Sequence, residues 1–300
     1  MKATDALAKH LKSKGYKKAF ALQGGAVVHI LDSFHKFGIE VNYLHHEVSN
    51  ALAAASLVRA SGEKTLLVVT TGPGCVNAMT GILGAWQDSV PLLILSGQVR
   101  SNFTSYKLNV RQKGTQEAKI LDIVKPITKK TFLINSEKQI LNIIDKADEI
   151  SNTGRPGPVW IDYPINFQWP DINIKLKKKD KKNLQKNDLK INQVCKMLKE
   201  SNNPLFVFGN GIRLSGGLDI LKKVVNKSNI PFVTTWSACD FFPTDYNLNL
   251  GIIGLYGQRG ANKAINNADL LICIGTHLNV THTSTRLDEF SKESKKIIIN

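Results

Sequence analysis

The residue types that could do chemistry gather between Tyr43 and Gln98, in YLHHEVSNALAAASLVRASG, KTLLVVTTGPGCVNAMTG and ILGAWQDSVPLLILSGQ. Glu47 opens a segment so rich in alanine and serine that its backbone can lie close to another element. A carboxylate in an apolar, alanine-lined setting is suited to proton exchange. The plainer alternative is a first-turn glutamate that complements a helix dipole. Gly72-Pro73-Gly74 follows an apolar run and reads as a rigid turn presenting backbone groups in a fixed direction. Gln98, Gln112 and Gln116 are uncharged donors and acceptors, suited to positioning a polar ligand and equally at home on an ordinary surface.

Other chemistries lack their residues. Gly24-Gly25 permits close backbone approach, but without G-x-G-x-x-G spacing it is no dinucleotide fingerprint. There is no serine nucleophile elbow, no Walker lysine and no histidine–carboxylate series that would close a triad. His45 and His46 have no partner spacing for zinc. Cys75, Cys195, Cys239 and Cys273 are scattered, which reads as buried free thiols in a reducing compartment.

The elements that must hold these residues alternate. A helix over 3–14 places Ala3, Leu7 and Leu11 on one face, and a strand over 16–22 ends in Gln23-Gly24-Gly25. Helix 26–37, strand 39–44, helix 47–60, strand 65–71, helix 75–86 and strand 91–95 follow, the last ending in Ser96-Gly97-Gln98. Leu66 to Val69 shows no polar alternation, as expected of a strand covered on both faces. Residues 101–115 form a long polar loop with Arg100, Lys107, Arg111 and Lys113 in and beside it, the length of an active-site or interface loop. A helix over 116–124, a strand over 130–133, a helix over 137–150 capped by Asn135-Ser136, and a strand over 159–162 complete a doubly wound parallel-sheet domain over 1–167, its site at the C-terminal edge.

Residues 168–190 read as a linker, and Lys175 to Lys190 holds eight lysines against Asp180 and Asp188. Much of the net charge of +16 sits there. Without interleaved aromatics or arginines such a run is a solvated linker, so no nucleic-acid partner is expected. No apolar run reaches the roughly 20 residues that span a bilayer, and no h-region follows the N-terminal lysines. No membrane partner is expected, and a cytoplasmic location is the default. Residues 191–300 alternate again: helix 191–199, strand 205–208, Gly209-Asn210-Gly211, helix 218–227, strand 231–234, helix 260–267, strand 269–274 and strand 296–299. This Rossmann-like central domain is expected to be incomplete at its C-terminal end.

Several motifs in order resemble the acetolactate-synthase-like thiamine diphosphate enzymes. They are YLHHEVSNALAAASLVRASG, VTTGPGCVNAMTGILGAWQDSVPLLILSGQ, VRQKGTQE, IVKPITK and TGRPGPVWIDYP, continuing through FGNGIR, GLYG and ADLLICIGT. The resemblance implies a pyrimidine-binding domain followed by most of a central domain. It implies that Glu47 bonds the cofactor's aminopyrimidine ring and favours its imino tautomer, whose nitrogen takes the proton from thiazolium C2. The carbon so formed attacks a 2-keto acid such as pyruvate, carbon dioxide leaves, and the product adds to a second carbonyl compound. Gly24 and Gly25 match the family's glycine turn over the site, and Gln116 matches an active-site glutamine with Gln112 as its neighbour. Thr71, Gly72, Pro73 and Gly74 match the turn on the pyrimidine side, and Asn77 is a further cofactor contact.

The family's site lies between subunits, so a homo-oligomer, dimer or tetramer, is implied. Mg2+ is held there by a diphosphate-binding domain, and no GDG with its following asparagine occurs in these residues. The chain is therefore expected to be a fragment, or to be completed by a separate subunit, and to be inactive alone. Flavin is in doubt, because GTHLNVTHTS over 275–284 lacks the arginine turn and acidic pair of FAD-binding relatives, although Arg286 is near. A decarboxylase or lyase without ligation, and a non-catalytic partner subunit, remain alternatives.

Overall fold

The computed structural model describes residues 1–173 and 191–300, so the lysine-rich run lies outside the described residues. The chain divides into two compact units, one ending at Asp180 and the other beginning at Lys181.

In the first unit, strands β1 (Lys18–Ala21), β2 (Glu40–Tyr43), β3 (Thr65–Val69), β4 (Leu93–Gln98), β5 (Lys130–Leu133) and β6 (Val159–Pro164) form one sheet. Every pairing is parallel, in the order β2-β1-β3-β4-β6-β5. The helices are α1 (Ala3–Ser13), α2 (Val28–Lys36), α3 (Glu47–Ser61), α4 (Pro73–Asn77), α5 (Met79–Gln87), α6 (Ile120–Val124) and α7 (Ile140–Asn152). Alternate residues of each strand feed opposite faces. Leu66, Val68, Leu93, Leu95, Val159 and Ile161 meet α1, α2 and α7, while Leu67, Val69, Ile94 and Trp160 meet α3, α5 and α6. Burial on both faces explains why β3 is apolar throughout.

Strand order reverses at β1, which leaves β1 and β3 side by side with their following loops at one sheet edge. Such a switch point forms a crevice outside the strand ends.

Several boundaries differ from expectation. β4 runs through Ser96-Gly97-Gln98 instead of stopping before it. The helix expected over 116–124 is confined to α6, because Gln116 has a left-handed φ of 58°. Ser136 caps a short 3-10 turn, Glu137–Gln139, ahead of α7. The segment from Gln168 to Ile172, read from composition as linker, is packed on the first unit. Ala3 N donates to Pro170 O at 2.9 Å, Ile172 N to Met1 O at 2.9 Å, and both Gln168 and Ile172 are buried. Cys195 and Cys239 are exposed, so only Cys75 and Cys273 are the buried thiols expected.

In the second unit, β7 (Pro204–Phe208), β8 (Phe232–Thr234), β9 (Asn249–Ile252), β10 (Leu270–Ile274) and β11 (Lys295–Ile299) form a parallel sheet in the order β11-β10-β7-β8-β9. Phe206, Phe208, Phe232 and Ile272 pack with Leu221 and Val225 of α10 (Leu218–Ser228), which follows α8 (Ile191–Glu200) and the short α9 (Gly211–Leu214). The opposite face packs Val207, Val233 and Leu271 on Ala261 and Ile265 of α11 (Arg259–Asn267). Strand β9 escaped the sequence reading because Asn249-Leu250-Gly251-Ile252 is short, holds a glycine at φ 103°, and pairs with an irregular register.

The small residues of α3 do bring a neighbour close. A β-carbon on Gly81 of α5 would stand 2.5 Å from Ala51 Cβ, whereas one on Gly84 would meet nothing within 4 Å. Gly81→Ala is expected to lower stability by about 1–3 kcal/mol through overpacking. Gly84→Ala should raise it by up to about 1 kcal/mol through helix propensity. Urea midpoints that shift in the same direction for both would contradict this packing.

Candidate active site

At the switch point three loops converge. The chain enters α3 through His46, whose Nδ1 accepts from Val48 N at 3.1 Å. Asn50 closes the entry: its Nδ2 donates to Leu44 O and His46 O, each at 3.0 Å, and its Oδ1 accepts from Leu44 N at 3.2 Å. His45 and His46 are both exposed, so their role here is local. Glu47 is 7% exposed. Asn77 Nδ2, at the end of α4, donates to Glu47 Oε2 at 3.1 Å. Among the described residues Glu47 Oε1 has no hydrogen-bond partner.

The wall around that oxygen is made by missing side chains. A β-carbon on Gly74 would stand 3.2 Å from Glu47 Oε1 and 2.8 Å from Thr70 Cγ2. One on Gly24 would stand 2.5 Å from Thr70 Cβ. Thr70 is thus clasped between two glycines, one on each loop. Gly25, by contrast, has open space around it.

The turn after β3 is made by Thr71 and Gly72, the latter at φ 65° and ψ −121°, and Pro73 is already the first residue of α4. This corrects the expectation of a three-residue turn. A proline at the first helical position lacks only an amide that would have gone unused there. A β-carbon on Gly72 would overlap the carbonyl oxygen of Gln116. Gln116 therefore reaches the site through its backbone, and the residue itself is exposed. Gln112 is exposed and donates to Gly114 O at 2.7 Å, away from this cluster.

Beneath the turn lies a buried polar layer, of which the sequence reading picked out Thr71 and Gln98 but missed Ser96, Tyr106 and Asp162. Thr71 Oγ1 donates to Gln98 Oε1 at 2.8 Å, and Gln98 Nε2 donates to Asp162 Oδ2 at 3.1 Å. Ser96 Oγ donates to Asp162 Oδ1 at 2.6 Å, and Trp160 Nε1 donates to Ser96 Oγ at 2.8 Å. Tyr106, in the long loop, donates its hydroxyl to Asp162 Oδ2 at 3.1 Å. Burial pushes the Asp162 carboxyl up to about 6, partly offset by the Ser96, Gln98 and Tyr106 donors and reinforced by the charge of Glu117. The signal was present: an acid inside the otherwise apolar VWIDYP, two residues beyond Trp160 and so on the same face of the strand.

Glu117 organises the long loop. It accepts from Ser105 N at 2.7 Å, Ser105 Oγ at 2.7 Å and Lys113 N at 3.0 Å. Burial raises its carboxyl, but these donors outweigh burial and leave it below the ordinary 4.5. On the other side, Gln168 Nε2 donates to Ala26 O at 2.8 Å and Tyr163 O at 2.9 Å, which holds the turn after Gly25 against Gly97.

The structure thus brings Glu47, Asn77, Gly74 and Gly24 around Thr70, and sets Thr71, Gly72 and the Gln116 backbone beside them, with Gly25 and Pro73 adjacent in sequence. Chemically, this is a carboxylate with one oxygen fixed and one free, facing a surface with little side chain. It can exchange a proton with a flat ring laid against it. Among the described residues no group of three or more His, Cys, Asp or Glu is placed to hold a metal.

Residues 1–124 match the profile of the thiamine pyrophosphate enzyme N-terminal TPP binding domain, and residues 191–300 match that of the thiamine pyrophosphate enzyme central domain. The chain belongs to the thiamine pyrophosphate enzymes. It is 34% identical to a probable acetolactate synthase large subunit of Methanocaldococcus jannaschii, over 100% of this chain and 51% of that protein. It is 34% identical to the acetolactate synthase large subunit of Lactococcus lactis, over 90% of this chain and 47% of that protein. With the Escherichia coli acetolactate synthase isozyme 3 large subunit the identity is 30%, over 93% and 49%. The chain spans about half the length of these relatives. Its doubly wound parallel sheets are those expected of the two matched thiamine pyrophosphate enzyme domains. Among the described residues no helix is long and apolar enough to cross a membrane.

Glu117 offers a direct check on the loop that borders the site. Replacement by glutamine turns an amide towards donors that need an acceptor, at a cost of about 1–3 kcal/mol at neutral pH. The native carboxylate has a lowered pKa. Its contribution is complete above the ordinary value and lost as pH falls through the lower folded value. The stability deficit of Glu117→Gln, read from urea midpoints at about pH 7 and about pH 3.5, should shrink at the lower pH. A deficit that grows on acidification would contradict the assignment.

Proposed function

We propose that this chain supplies the aminopyrimidine-binding half of a thiamine diphosphate site used to decarboxylate a 2-keto acid, pyruvate being the expected donor, and to join the product to a second carbonyl compound. The observation that carries the reading is Glu47, a nearly buried residue whose Oε1 is free of hydrogen bonds and set against Gly74 with no room for a β-carbon. A flat aminopyrimidine fits a wall lined by glycines and the Thr70 side chain. When bound, thiamine diphosphate supplies an acidic carbon that becomes the nucleophile and an electron sink for the loss of carbon dioxide.

The chain's own residues hold and move one proton. Glu47 Oε1 would accept a hydrogen bond from the protonated pyrimidine ring nitrogen; stabilising that N–H acidifies the exocyclic amino group and so favours the imino form, whose nitrogen can serve as the base. Asn77 keeps Oε2 occupied, so the carboxylate faces the ring with a single oxygen. Thr71, Gly72 and Pro73 carry the pyrimidine side of the pocket, and Gly24 and Gly25 the turn above it. Gln116 lies beside the reacting carbonyls, its carbonyl fixed by Gly72.

Mg2+ and the diphosphate are held by residues outside these 300, in a further domain or a second chain, and the working site is shared between chains of a homo-oligomer. Flavin is not needed for this reading. The Gly209 and Gly211 amides of the second unit, which would face a phosphate, donate instead to Ile274 O and Gly275 O, each at 2.9 Å.

Glu47→Gln in the complete enzyme should cut turnover by about 10²–10⁴-fold, the usual scale of a lost proton-transfer group, without a change in unfolding midpoint. Pyruvate supplied with a second keto acid or an aldehyde should give a hydroxyketone. Undiminished turnover by the variant would exclude the role of Glu47, and simple aldehyde release without any hydroxyketone would exclude ligation.

A further inference from the structure

We propose that Asp162 is a positioning residue that locks the Gly72 turn and the long loop over 99–118 into one unit. Its carboxylate sits between two elements that must be held in register, and it acts through Gln98. Both oxygens are engaged: Oδ1 by Ser96 Oγ, Oδ2 by Gln98 Nε2 and by the Tyr106 hydroxyl. The group is fully buried. An acceptor-only group at this point dictates which way the Gln98 amide faces, since only its NH2 end can meet a carboxylate.

Once Nε2 is committed to Asp162, Oε1 faces the other way. There it accepts from Thr71 Oγ1 at 2.8 Å and from Val99 N at 3.0 Å, while Nε2 also reaches Ala118 O at 3.3 Å. One glutamine side chain thereby pins both ends of the loop, at Val99 and at Ala118. It also holds Thr71, the residue before Gly72, whose turn rests on the Gln116 carbonyl. Tyr106 gives Asp162 a second hold on the middle of the loop, and its hydroxyl accepts from Leu121 N at 3.4 Å, where α6 begins. A flipped Gln98 would set its NH2 against the Val99 amide and its oxygen against the Ala118 carbonyl. The loop and the turn would then lose their common anchor together. The link from this unit to cofactor affinity rests on the function proposed above; the locking itself does not.

The test is hydrogen–deuterium exchange on the full chain. Asp162→Asn offers an NH2 to groups that present donors, and should raise exchange over 99–118 and 71–78 by about ten-fold, the scale of losing a buried bond to a charged group. Amides of β3 and β4 over 66–69 and 93–95 should stay protected. Tyr106→Phe, which removes one arm and leaves Gln98 in place, should loosen 101–118 and spare 71–78. It also keeps the test available if Asp162→Asn does not fold. Unchanged loop exchange in both variants, or a rise shared equally with the core strands, would overturn the proposal. In the complete enzyme, Asp162→Asn should weaken thiamine diphosphate binding in the presence of Mg2+ more than it lowers turnover at saturating cofactor. Localised loosening with unaltered cofactor affinity would uphold the positioning role and overturn the placement of the cofactor against this turn.

Discussion

The loops at the C-terminal edge of the first sheet meet at distances that no β-carbon allows. Gly24 lies on Thr70, Gly72 on the Gln116 carbonyl, Gly74 on Thr70 and Glu47, and Gly97 on the Ala26 carbonyl. Apart from Gly74 on Thr70, which lie in the same loop, each contact joins segments that follow different strands, so together they fix how the loops after β1, β3 and β4 stack. Of the four, only Gly72 has a φ in the left-handed region. At the other three glycine is required for space, not for conformation. The result is a smooth wall at the switch point, and Glu47 can lie on it because nothing projects from it.

Close stacking removes water, and the buried polar groups must then satisfy one another. Glu117 and Asp162 meet that demand with opposite consequences. Glu117 accepts from two backbone amides and a hydroxyl, donors fixed in place, and its charge is held below the ordinary range. Asp162 is deeper, with one hydroxyl, one amide and one phenol for company, and burial dominates. As pH rises from the ordinary 3.8 to about 6, the ionised Asp162 takes stability away, whereas Glu117 adds stability as its own carboxyl ionises at lower pH. An acid kept at such a cost beneath a turn makes sense if it orients something, and Gln98 is what it orients.

Sequence patterning carries the scaffold well because that scaffold obeys periodicities. The apolar run of β3, the face of α1 formed by Ala3, Leu7 and Leu11, and the alternation of strand with helix all report burial, and burial is what the sheets required. Glu47 was readable for the same reason: a carboxylate at the head of an alanine-rich helix is an anomaly in an otherwise regular pattern. Asp162 stood out only as an acid in an apolar strand, and its partners, like those of Glu117, were not readable, because they lie at separations of 56–66 and 4–12 residues. A polar layer assembled across β4, β6 and a loop has no period to detect. Gln168 fails differently. Composition placed it in the linker, yet it is buried and bonded to the turn after Gly25, since a single side chain can be core where its neighbourhood is not.

The second unit shows why the fold alone would have been a poor guide. It repeats the parallel sheet, and its glycine-rich turns after β7 and β10 meet as closely as those of the first unit. There the close approach lets Gly209 and Gly211 donate their amides to Ile274 O and Gly275 O, so these backbone groups at the strand ends bond to one another. In the first unit two of the close approaches, by Gly24 and Gly74, end on side-chain atoms of Thr70 and Glu47, and a carboxylate oxygen is left free. Two similar sheets therefore present different edges, and the function proposed above rests on the free acceptor of the first and on the residues that keep it in place.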